Sequence, residues 1–77
     1  MTDLNTEILI HFGKTLRAFR KEQNLTLLEL EVRSGINEGD ISKIENGKKK
    51  LAFTTFIKLS KGLDLTPSQF LKEFKVQ

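Results

Sequence analysis

Cysteine is absent from the 77 residues, which excludes disulfide staples and thiolate metal sites. One histidine, His11, is present, too few for a multi-histidine metal centre. It offers no convergent acid–base set with a nucleophile, so an enzyme is not expected. Long apolar runs are also missing. Ile8-Leu9-Ile10 is as long as any, far short of the roughly 20 residues that cross a bilayer. The N-terminus lacks the basic start and small-residue cleavage site of a signal peptide. The expectation is a soluble, cytoplasmic protein with no metal, no cofactor and no small-molecule ligand. No Gly/Ser/Pro linker, internal repeat or low-complexity tract divides the chain. A chain this short buries only about 60 % of its unfolded surface, enough for a single small domain.

What is present is helical periodicity. Alternation with period two is never sustained, whereas spacings of three and four recur. Residues 1–5 read as a flexible polar lead, and residues 6–77 as one domain. A first helix is predicted over residues 6–23, with Leu9, Phe12, Leu16 and Phe19 on one stripe. Asn24 is a left-handed stop. Lys14, Arg17 and Lys21 line another face, either solvated or in reach of distal phosphates. Thr26 and Glu29 form a capping-box pattern that opens a second helix. Ser34-Gly35 ends that helix after about two turns, with Gly35 supplying the positive φ of a tight turn. Asn37 is an N-cap for a third helix, with Glu38 and Asp40 in its first turn, where they complement the helix dipole. Ile41 and Ile44 form its apolar face, and Asn46-Gly47 closes it. A basic loop, Lys48-Lys49-Lys50, follows. A fourth helix over residues 53–61 turns Phe56 and Leu59 inward, with Leu63 just beyond. Thr66-Pro67-Ser68-Gln69 starts a fifth helix that buries Phe70. The phenylalanines follow helical spacing, which marks core positions.

Two short helices around a glycine turn make a helix-turn-helix. With Ile41 and Ile44 docked, Glu38, Gly39, Ser42, Lys43 and Asn46 fall on one outward strip, of a width that enters a DNA major groove. A net charge of +3 does not by itself imply nucleic acid; the position of the lysine loop beside this strip does.

At these residues the sequence resembles the phage Cro/CI repressor (XRE) family of helix-turn-helix DNA-binding domains. The resemblance runs from about Phe12 to Leu71. It is carried by Leu16-Arg17-Ala18-Phe19-Arg20, Leu25-Thr26-Leu27-Leu28-Glu29-Leu30, Ser34-Gly35-Ile36, Ile41-Ser42-Lys43-Ile44-Glu45-Asn46-Gly47-Lys48 and Gly62-Leu63-Asp64-Leu65-Thr66. In size the chain is similar to restriction–modification controller proteins. The resemblance implies an all-α, compact five-helix lambda-repressor-like domain that binds double-stranded DNA as a homodimer and regulates transcription. It implies base-facing positions at Glu38, Gly39, Ser42 and Lys43. Phosphate-facing positions are Thr26, Leu27, Asn46, Lys48, Lys49 and Lys50, with Asn37 beside them at the helix start. It also implies an ion pair between Arg20 and Glu45, and both residues do lie at apolar helix edges, where an unpaired charge costs several kcal/mol.

Three departures from the family pattern stand out. Leu27 replaces a glutamine that grips phosphate. Glu31 replaces an alanine at a close helix crossing and is expected to swing outward. Glu38 and Asp40 bring carboxylates toward phosphate, although glutamate can accept a hydrogen bond from cytosine N4. Gly39, costly inside a helix by about 1 kcal/mol, reflects close approach to DNA or local tolerance. Ile57, Leu71, Phe74 and Val76 are surplus apolar residues, forming a symmetric dimer patch or padding the domain's own core. A different class of function, a protein-interaction module using the last helices or the acidic strip, is the alternative to DNA binding.

Overall fold

The computed structural model describes residues 3–75. Five helices follow one another: α1 (Leu4–Glu22), α2 (Leu27–Ser34), α3 (Glu38–Glu45), α4 (Phe53–Gly62) and α5 (Pro67–Glu73). Helix α1 begins two residues earlier than its apolar stripe predicts. Asp3 is the reason: its Oδ1 accepts from the Thr6 amide at 2.8 Å, a side-chain cap. Of the polar lead expected over residues 1–5, Leu4 and Asn5 are helical with Asp3 as their cap, and residues 1–2 lie outside the described residues.

Helices α2 and α5 both carry complete capping boxes, Thr26 with Glu29 and Thr66 with Gln69. The Thr26 backbone amide holds the Glu29 carboxyl below its ordinary value. Three helices end alike. Asn24 (φ 58°), Gly47 (φ 70°) and Asp64 (φ 59°) sit in the left-handed region. In each case the next amide reaches back five residues: Leu25 to Arg20, Lys48 to Lys43 and Leu65 to Ser60, at 2.9–3.0 Å. This is the Schellman closure. At the α4 exit the left-handed residue is Asp64, while Gly62 is the last helical residue, at a close crossing where an added Cβ would stand 2.9 Å from the Ser34 Cβ of α2.

Phe12, Leu16, Leu30, Ile41, Ile44, Phe56, Leu59, Leu63 and Phe70 are buried together, with Leu25 closing the α1–α2 corner. Leu9 and Phe19, at the two ends of the predicted stripe, are only half-buried. Phe70 lies at the centre of the core's aromatic contacts together with Phe12 and Phe56, its ring centroid 4.9 Å from Phe12, 5.3 Å from Phe19 and 5.4 Å from Phe56. Helix α1 crosses α3 at Gly13, where any Cβ would collide with the carbonyl oxygens of Ile44 and Glu45. That crossing seats α3 directly on the longest helix, so the outer face of α3 is held by buried structure. No helix among the described residues is long and apolar enough to cross a membrane.

Candidate nucleic-acid interface

The α2–α3 turn is built from local chemistry. Gly35 takes φ 78° and its amide closes α2 on the Glu31 carbonyl at 2.8 Å, while Ser34 Oγ accepts from the Ile36 amide at 3.1 Å. The start of α3 is capped twice. Asn37 Oδ1 accepts from the Gly39 amide at 2.8 Å, and Glu31 Oε1 accepts from the Glu38 amide at 2.7 Å. Glu31 therefore does not swing outward: half-buried between the helices, it satisfies one of the free amides of α3. Its carboxylate also suits the positive end of the helix dipole.

The end of α3 is fixed by Arg20. The guanidinium donates through Nε to Glu45 Oε2 at 2.6 Å and through Nη2 to Glu45 Oε1 at 3.0 Å. A third donor, Nη1, reaches the Leu25 carbonyl at 2.8 Å. Donating to the Glu45 carboxylate raises the Arg20 pKa above its ordinary value. Only 9 % and 6 % of the two side chains is exposed. One bidentate pair thus ties α1, the α1–α2 corner and the C-terminal turn of α3 into one unit.

What α3 leaves outside is the predicted strip. Glu38, Gly39, Lys43 and Asn46 are exposed and Ser42 is half-buried. Asn46 Nδ2 donates to the Ser42 carbonyl at 2.8 Å. Lys48, Lys49 and Lys50 are all exposed beside it, so with Lys43 the lysines here outnumber Glu38 and Asp40. Lys49 differs from the other two: its Nζ lies 3.1 Å from Asp40 Oδ1.

The Leu27 side chain is half-buried against the core, which leaves its backbone amide as the group that can face a phosphate, in keeping with the loss of a gripping glutamine there. Thr26 and Glu29 satisfy each other's amides, and the Leu27 and Leu28 amides remain for an outside acceptor. Gly39 gains an explanation the sequence did not hold, since an added Cβ would stand 2.9 Å from the capping Asn37 Oδ1. Gly39→Ala should therefore leave thermal stability within about 1 kcal/mol of the parent, the helix-propensity gain offsetting a strained cap. A melting curve checks this.

The candidate dimer residues are dispersed. Leu71 is exposed, while Phe74 and Ile57 are both half-buried against the domain's own core. Val76 lies outside the described residues. Leu71 and Phe74 line an apolar groove with Ile8, Leu51 and Phe53. Phe53 is 74 % exposed. Helical spacing predicts a core position for every phenylalanine, and Phe53 departs from it because, at the first position of α4, its side chain lies outside the core that buries Phe12, Phe56 and Phe70.

The helix-turn-helix family pattern matches residues 16–70, which include both helices of the pair. Over 38 residues the chain is 50% identical to the HTH-type transcriptional repressor RghR of Bacillus subtilis (strain 168). That match covers 49% of this chain and 28% of the repressor, so the similarity spans less than a third of that relative. The control protein C.MunI from Mycoplasma sp is 30% identical over 70 residues, 90% of this chain and 95% of that one. The crystal structure of the restriction-modification controller protein C.AhdI from Aeromonas hydrophila superposes with a TM-score of 0.77 at 27% identity, covering 80% of this chain and 94% of that one. The clp gene regulator ClgR from C. glutamicum gives 0.78 at 28% identity, covering 94% and 90%. The pattern spans the turn, the strip-bearing helix and the buried arginine–glutamate pair, and the chain belongs to the helix-turn-helix family, of the XRE type.

Proposed function

We propose that the protein is a sequence-specific DNA-binding transcriptional regulator that acts as a homodimer on a pseudo-palindromic operator. The observation that carries this reading is the α3 strip. It is exposed, flanked by lysines, and mounted on a helix locked at both ends by side chains of other elements. A reading helix needs such a mount, because base contacts discriminate only when the donors and acceptors are held in register with the groove.

Lysines near the strip draw the protein to DNA by displacing counterions. The free amides at the α2 start and the lysine loop settle on phosphates and fix the register. Helix α3 then enters the major groove with Ser42 and Lys43 toward base edges, and Glu38 suits a cytosine N4. Asn37, with its oxygen committed to the cap, contributes to the strip only through its remaining amide donors. A second subunit places a second α3 about 34–36 Å away on the same DNA face. The Ile8–Phe53–Leu71 groove is the surface for that subunit, and Ile57 is not part of it. Occupying a promoter site would exclude polymerase.

Selection of random duplexes on the purified protein tests this. An enriched two-fold motif is the expected result, with affinity falling steeply as salt rises. A stoichiometric protein partner with no DNA retention would instead favour an interaction module. Lys43→Ala is expected to lose about 1–3 kcal/mol of preference for the enriched site over random duplex. Equal loss on both would make Lys43 a phosphate anchor.

A further inference from the structure

We infer that Asp40 acts as an intramolecular competitor of the DNA backbone for Lys49, and so sets how much of the lysine loop is available to phosphate. The inference rests on the DNA-binding reading of α3 and goes beyond it. Asp40 lies in the first turn of α3, where the dipole already suits a carboxylate. Its Oδ1 nevertheless reaches across to Lys49 Nζ, nine positions along the chain, at 3.1 Å. The pair is open to solvent, with 45 % of the lysine side chain and 41 % of the aspartate exposed. Neither partner is needed to satisfy the other by burial. Lys48 and Lys50 flank Lys49 in the same loop, and neither forms an ion pair among the described residues. Three consecutive lysines therefore differ in one respect, and the difference faces the candidate DNA surface.

A solvent-exposed pair of this kind is weak. That weakness suits a governor, because a phosphate can displace the carboxylate, yet every such displacement gives back part of what the new contact gains. Asp40 thus lowers the net yield of Lys49 on any DNA and keeps the complex readily reversible. It is a positioning residue that acts through Lys49.

A double-mutant cycle on the full chain tests this. Wild type, Asp40→Asn, Lys49→Ala and the double variant are titrated with a pool of random-sequence duplexes, with far-UV circular dichroism confirming that each is folded. The expected result is that Lys49→Ala weakens binding about two- to fivefold more in the Asp40→Asn background than in the wild type, the coupling of an exposed pair. Equal losses in both backgrounds would mean that Asp40 only repels phosphate, and would overturn the inference alone. A larger loss in the wild type would make Asp40 an aid to Lys49 and overturn it as well. Failure of the wild type to bind the pool in a salt-dependent manner would overturn the DNA-binding reading with it.

Discussion

Glu45→Ala is expected to cost about 3–5 kcal/mol, because it leaves the Arg20 guanidinium buried without its counter-charge. A core of this size supplies only about 3–5 kcal/mol in all, so the variant should have no cooperative thermal transition near room temperature. Attraction between the two charges is only part of the reason. Removing both charges removes the desolvation problem, and apolar replacements of a buried pair are often neutral. Arg20→Met combined with Glu45→Met should therefore be more stable than Glu45→Ala alone. It should still fall short of the parent by about 1–3 kcal/mol, because the Leu25 carbonyl loses the donor that Arg20 provides. Urea titrations of the single and double variants check both parts. A single variant as stable as the parent would show that the pair is not needed to hold the end of α3.

Phe70→Ala should be comparably damaging, at about 3–5 kcal/mol. Phe70 is fully buried and its ring meets those of Phe12, Phe19 and Phe56. Few other contacts hold α5, a helix of 7 residues, to the body. Truncation should release α5 first and with it Leu71, one wall of the apolar groove. Phe53→Ala supplies the contrast. Its ring is mostly exposed, so stability should stay within about 0.5 kcal/mol, while self-association measured by sedimentation should weaken.

Local signals in the sequence were enough to place every helix. The two capping boxes, the left-handed Asn24, Gly35 and Asn37 all mark boundaries through bonds within a few residues, and such bonds are written in the sequence. The Arg20–Glu45 pair was legible for a different reason. A charge at an apolar helix edge requires a partner, and the family resemblance supplied which one. What escaped were contacts between elements distant in sequence. Nothing local in the sequence marks Gly13 as the point where α3 lies across α1. Glu31 reads as a misfit at a crossing until its carboxylate is found on the Glu38 amide. Asp40 reads as a dipole partner, and only the folded loop brings Lys49 to it.

The claim on which the functional account rests is that the outer face of α3 meets DNA. Titrating the isotope-labelled protein with a duplex recovered by selection, and following its backbone amides by NMR, tests this most directly. The account predicts shifts concentrated at the start of α2, along α3 from Asn37 to Asn46, and through the lysine loop. Shifts confined to the Ile8–Phe53–Leu71 groove or to the Lys14–Lys21 face, with α3 unchanged, would contradict it.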